Sequence, residues 1–145
     1  LMFQGLLERQ YNPNMSPSGR VSDGGVREVV LERNAQGHYV ASGRINGQPV
    51  VFLVDTGATD VALSEQLASR LGLSKQGGAF SQTANGIVAV WQTRLADISI
   101  GNIHLQDVRA VILPALGGKD QVLLGMSFLK QLELVQRNGT LTLRQ

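Results

Sequence analysis

The sequence predicts an all-β fold of short strands and tight turns, with a few short helices. Three observations carry that prediction. Asn-Gly pairs stand at 46–47, 85–86 and 138–139, each beside runs that alternate or favour strands, and both residue types tolerate the positive φ of a tight hairpin. The 17 glycines are many for 145 residues and suit frequent turns. Two apolar runs, Pro49 to Val54 and Val122 to Leu124, each lead towards a glycine and then a short helical pattern.

Taken in order, Leu1 to Gly25 reads as a flexible N-terminal tether. Tyr11-Asn12-Pro13-Asn14-Met15-Ser16-Pro17 and Ser22-Asp23-Gly24-Gly25 are rich in turn formers and poor in periodic apolar residues, so disorder or an extended arm is expected. Leu1-Met2-Phe3 and Leu6-Leu7 read either as the tail of an upstream anchor or as foreign residues. The folded domain is placed at 26–145. Val26 to Arg33 has the β-branched content of a strand, and His38 to Ile45 alternates as a second. Asn46-Gly47 turns the chain into a third strand, Pro49 to Val54, whose unbroken Val/Phe/Leu content fits burial on both faces.

Ser64 is the expected N-cap of a helix through Leu71, stopped by Gly72, with Leu67, Ala68 and Leu71 on the packed face. Gln76 to Ala79 reads as a loop and Phe80 to Trp91 as a hairpin turning near Asn85-Gly86. Trp91 fits the base of that hairpin or a pocket wall. Arg94 to Ile100, Ile103 to Leu105, and Val108 to Leu113 read as strands, and Pro114 to Lys119 as a loop. Ser127 is the expected cap of a helix over 128–132, and Thr140 to Leu143 alternates as an edge strand does.

Composition narrows the chemistry. Apolar residues make up 43% and charged residues 17%, ordinary for a single globular domain of this length. A net charge of +2 with no cluster of Lys and Arg gives no footprint for nucleic acid. Without cysteine, disulfides, thiolate catalysis and Cys-based metal sites are excluded. The two histidines, His38 and His104, are far apart and read as surface positions, so neither a metal site nor a Ser/His/Asp triad can be built. No cofactor is expected. No apolar stretch approaches the roughly 20 residues that span a bilayer.

The stretch Phe52-Leu53-Val54-Asp55-Thr56-Gly57-Ala58-Thr59 organises the rest. It sets one carboxylate at the end of an apolar strand, where an ionised side chain is costly unless paired or hydrogen-bonded. Gly57 permits a turn and Ala58 lets another segment approach. Such a carboxylate is a candidate for chemistry; the plainer reading is an Asx-type turn in which Asp55 caps its own backbone.

With Val54-Asp55-Thr56-Gly57-Ala58-Thr59, Thr83-Ala84-Asn85-Gly86 and Leu123-Leu124-Gly125-Met126 in that order, the chain resembles the retropepsin-like aspartic proteases from about His38 to Leu143. It looks closest to their bacterial, membrane-anchored branch. The resemblance implies a closed acid-protease β-barrel lobe with short helices. It also implies an aspartic endopeptidase acting on peptide or protein substrates. Asp55, Thr56 and Gly57 would be the catalytic loop; Ala58, Thr59, Ala84, Asn85, Gly86, Ile87 and Gly125 would meet substrate, with 84–86 at the tip of a flap. Ile87, Val88, Val111, Leu113 and Leu116 are candidates for an apolar cleft. The implied location is the periplasm, behind an upstream inner-membrane anchor.

One Asp-Thr-Gly per chain implies two chains. The chemistry needs two carboxylates sharing a proton, so the second must be Asp55 of another copy across a two-fold axis. Family members often build the subunit interface from terminal strands; Thr140 to Leu143 would either do so or complete this chain's own sheet. The chain departs from the viral enzymes at two positions. Thr59 stands where they usually carry an acidic residue, a role Asp60 would partly fill. Met126 stands where many carry an arginine of an inter-subunit ion pair, so a weak or transient homodimer is expected. The alternative is a non-enzymatic module that keeps the fold for binding or dimerisation.

Overall fold

A computed structural model of the chain describes residues 2–84 and 86–145, and of residues 2–6 and 83 the backbone alone. The elements are α1 (Met2–Tyr11), β1 (Gly19–Val21), β2 (Arg27–Glu32), β3 (Val40–Ile45), β4 (Gln48–Val54) and β5 (Val61–Ser64). Then come α2 (Glu65–Leu71), β6 (Gly77–Thr83), β7 (Gly86–Ile100), β8 (Ile103–Leu113), β9 (Gln121–Leu124), α3 (Met126–Leu129), β10 (Glu133–Arg137) and β11 (Thr140–Arg144). Among the described residues, no helix is long and apolar enough to cross a membrane.

The larger sheet runs β3-β4-β9-β5-β8-β7-β6, and β3 also pairs with β7 through Arg44 opposite Ser99 and Ile45 opposite Ile98. That extra pairing closes six strands into a barrel and leaves β6 outside it as the free arm of a hairpin. A smaller sheet, β1-β2-β11-β10, packs beside it. Phe52, Ile45, Leu63, Leu95, Ile98, Ile112, Val122 and Phe128 fill the core together with Leu31 and Leu143 from the smaller sheet. The fold is therefore the all-β closed barrel lobe that the sequence predicts.

Local chemistry sets the connections. Asn46 and Gly47 have φ of 51° and 78°, and Asn138 and Gly139 have 52° and 77°, so both pairs make mirror-image turns that suit strand twist. The Ser64 hydroxyl accepts from Leu67 N at 3.1 Å, Gly72 closes α2 in the left-handed region, and Leu67, Ala68 and Leu71 are buried. Thr83 pairs with Gly86; the expected flap residue Asn85 lies outside the described residues.

Several expectations give way to longer-range contacts. The segment read as a tether carries α1 and β1, and its Asn12 and Asn14 are buried. The Asn14 amide donates to Glu32 O (2.8 Å) and Val40 O (2.9 Å), and its oxygen accepts from Glu32 N (2.8 Å). Asn14 O accepts from Ser42 N, so these residues stitch β2 to β3. The expected loop at Gln76 to Ala79 is mostly strand, because β6 begins at Gly77 and pairs with β7 from Gln92 onward. β8 runs unbroken where two strands were expected, bending at Asp107 with φ 55°. β11 is no edge strand: it lies between β2 and β10. Finally, β4 buries Val50 and Phe52 while Val51, Leu53 and Val54 are only half-buried, so one face is covered rather than two.

Candidate active site

β9 lies between β4 and β5, parallel to the first and antiparallel to the second. Val54 therefore sits opposite Leu124, and Asp55 N donates to Leu124 O at 3.1 Å. This delivers Asp55 to one end of the barrel beside Gly125. The carboxylate is half-buried, less enclosed than an apolar approach strand suggests, because β4 is covered on one face only. Its Oδ1 accepts from Gly57 N at 2.9 Å, and Ala58 N donates to Asp55 O at 3.2 Å. The Asx-type turn is thus present, and it holds the carboxylate in a fixed direction. Gly57 does not take a positive φ; a β-carbon there would lie 3.3 Å from Asp55 Oδ1, so the glycine leaves room for the carboxylate.

The loop is clamped from below. Ala58 O accepts from Met126 N (2.8 Å) and Thr59 O from Ser127 N (2.9 Å). Gly125 is buried, and a β-carbon on it would overlap the Asp60 carbonyl. Its place is beneath the Asp55 loop. Ser127 does not cap α3, whose N-cap is Gly125 without a side-chain bond. The Ser127 hydroxyl accepts from Val61 N (2.9 Å) and donates to Arg109 O (2.7 Å), joining the loop's exit to β8. Asp60, expected to stand in for an acidic residue at 59, pairs instead with Arg109 through Nε–Oδ1 at 2.7 Å. Ser127 and Arg109 carry no local motif, and only the fold reveals them.

Asp55, Thr56, Gly57, Ala58, Thr59 and Gly125 thus form one unit, with Thr56, Gly57 and Thr59 exposed on its surface. Ala84, Gly86 and Ile87 belong to the far end of the β6–β7 hairpin; Phe80 and Ile87 stand out from it at 81% and 71% exposure. At the base, Trp91 lies across Gly78, where a β-carbon would be 2.9 Å from the ring, and Lys75 Nζ sits 5.1 Å from its centroid. Trp91 therefore anchors the hairpin.

One concavity borders the Asp55 loop, and another lies towards the opposite end of the barrel strands. The first, of about 320 Å³, is lined by Tyr39, Val54, Thr56, Leu134, Gln136 and Leu141. The second, also of about 320 Å³, lies between Ser64, Gln66 and loop 114–119, with Leu116 in its wall.

A family model described as "gag-polyprotein putative aspartyl protease" matches residues 41–131, which spans every element from β3 through α3. The chain belongs to this aspartyl protease family. The retropepsin-like fold is matched by the crystal structure of a retropepsin-like aspartic protease from Rickettsia conorii. That structure has a TM-score of 0.65 and 26% identity, over 89% of this chain and 94% of that one. The fold is also that of the EIAV protease complexed with the inhibitor HBY-793, with a TM-score of 0.54, 21% identity, and coverage of 70% and 93%. An uncharacterized Sinorhizobium protein encoded in the cobV 5′ region is 40% identical over 124 residues, 83% of this chain and 53% of that protein. An uncharacterized protein of Rickettsia prowazekii (strain Madrid E) is 31% identical over 109 residues, 73% and 46% of the two chains. The retropepsin-like domain thus spans about half the length of these curated relatives.

Proposed function

We propose that the chain is an aspartic endopeptidase that works as a homodimer, each copy supplying one Asp55. The observation that carries this reading is the seat of Asp55, a half-buried carboxylate aimed by Gly57 N in a loop clamped by Gly125, Met126 and Ser127. Family membership supports the same chemistry.

Two carboxylates about 3 Å apart cannot both ionise, so the pair holds one proton. The ionised partner takes a proton from a water molecule held between them, and that water attacks the scissile carbonyl. The protonated partner donates to the developing oxyanion, and no covalent acyl-enzyme forms. In this reading Thr56 braces the two loops across the axis, and the backbone of Gly57, Ala58 and Thr59 aligns the peptide. Residues 84–87 cover the peptide from the hairpin, while Gly125 supports the loop from beneath. Periplasmic placement behind an inner-membrane anchor is part of the proposal; it draws on the sequence resemblance, and protease accessibility of the full-length protein in spheroplasts tests it.

The decisive experiment is cleavage of an unbiased peptide library by the wild type and Asp55→Asn, with sedimentation on the same samples. Cleavage should track the dimer fraction, vanish in the variant and be blocked by a statine-type inhibitor. A dimeric sample that cleaves nothing and ignores the inhibitor would favour a binding module.

A further inference from the structure

We infer that Arg109 makes the cleft select peptides that carry an acidic side chain some residues away from the bond that is cut. This deepens the protease reading and rests on it, because it takes the peptide to lie along residues 57–59. Asp60 comes next in the loop, so a peptide continuing past Thr59 reaches the Asp60–Arg109 pair. Arg109 Nε lies 2.7 Å from Asp60 Oδ1. The Asp60 side chain is 19% exposed and that of Arg109 49%, so the carboxylate is sunk and the guanidinium faces outward. What a peptide meets there is a cation, although the loop's own sequence offers an anion.

Backbone contacts fix residue 109 at the exit of the loop. Arg109 O accepts from the Ser127 hydroxyl at 2.7 Å, and that hydroxyl oxygen accepts from Val61 N at 2.9 Å. Val61 in turn stands opposite Ala110 in the parallel β5–β8 pair. The contact to Asp60 uses Nε, which leaves the two Nη groups of an exposed guanidinium for a second carboxylate. A planar fork of this kind matches a carboxylate with two parallel hydrogen bonds.

A second arginine stands beside the first. Arg94 is directly opposite Arg109 in the antiparallel β7–β8 pair, and both are exposed. Like charges in that position oppose the pairing. Arg94 is drawn aside by Asp107, whose carbonyl accepts from Nη1 at 3.2 Å and whose carboxylate lies 3.4 Å away. Asp60 and Asp107 thus hold one arginine each, and an incoming acidic side chain would relieve the repulsion between the two cations. Exposed ion pairs add little stability, so aiming Arg109 at a ligand accounts for the Asp60 contact better than stability does. In a two-fold dimer the site occurs twice, so the acidic preference should fall at matching distances on both sides of the cut bond.

A peptide library tests this in two ways: cleavage by the wild type, and retention on immobilised Asp55→Asn. The wild type should cleave peptides bearing Asp or Glu at the selected position about tenfold better than those bearing Asn or Gln, as a charge-assisted contact allows. Arg109→Gln should bring that ratio close to one, and Arg94→Gln should lower it less. Arg109→Lys should keep part of it, having the charge without the fork. The preference should shrink in high salt. Melting curves should stay near the wild type, since an exposed pair is lost and Ser127 bonds only the backbone of residue 109. An acidic preference that needs Arg109 in both assays supports the inference together with the protease reading. Acidic retention that needs Arg109, without any cleavage, keeps the recognition and removes that reading. Two results would overturn the inference: no acidic enrichment in either assay, or an enrichment that survives Arg109→Gln.

Discussion

Gly125 and Asp60 are packed backbone against backbone. A β-carbon on Gly125 would lie 2.7 Å from the carbonyl carbon of Asp60 and 2.8 Å from the oxygen of Ala58. The fit between the two loops thus depends on a missing side chain, and its consequences reach Asp55 five residues away. Gly125→Ala should force the loops apart, costing about 1–3 kcal/mol as overpacking does. Because Ala58 O and Thr59 O are held by the residues after Gly125, peptide cleavage should fall more steeply than stability. Thermal melts beside cleavage rates on the same variant check this.

Asp55→Asn should separate folding from chemistry. The carboxylate's hydrogen bond inside the chain is accepted from Gly57 N, and an asparagine oxygen can accept it equally. Stability should therefore stay within about 0.5 kcal/mol of wild type, while cleavage drops by about a hundredfold or more with loss of both acid and base. A large fall in melting temperature would contradict this account of the turn.

Ser127→Ala should be costly, and for a reason other than the helix cap expected of it. Its hydroxyl serves Val61 N and Arg109 O within a buried setting. Removing it orphans a buried donor, worth about 1–3 kcal/mol. Urea titration should show a lower midpoint with an unchanged slope, marking a loss of stability without a change in the unfolded state.

Asn14→Ala tests whether residues 12–14 belong to the domain. The Asn14 side chain holds Glu32 and Val40 by three hydrogen bonds, so its loss should cost about 2–3 kcal/mol. Deleting residues 1–14 should cost at least as much. A truncated chain as stable as the parent would return the segment to the status of a tether.

What was legible in the sequence was local. Ser64, Gly72, Asn46-Gly47 and Asn138-Gly139 act within a few residues of themselves, so their spacing was enough to place α2 and two hairpins. Asp55 was legible because an apolar run and a Thr-Gly pair sit beside it. Ser127 was misread because its hydroxyl reaches β5 and β8 in preference to its own helix. Asn14 looked like a turn former because its partners lie 18 and 26 residues away. The interior position of β11 depends on where β2 comes to rest, which no local pattern records. Asp60 appeared free for substrate until the fold brought Arg109 to it across 49 residues.

The insertion of β9 between β4 and β5 also sets a timetable for synthesis. The strand that ends at Asp55 finds its parallel neighbour only when residues 121–124 have been made, and β5, the antiparallel neighbour of that same segment, waits for it too. Pairings of such long sequence separation are slow to form. A ribosome-bound chain stalled before Gln121 would carry the complete Asp-Thr-Gly sequence without the seat that aims it. On the proposed protease reading, competence to hydrolyse peptides would therefore wait until Gln121–Leu124 has been made and paired.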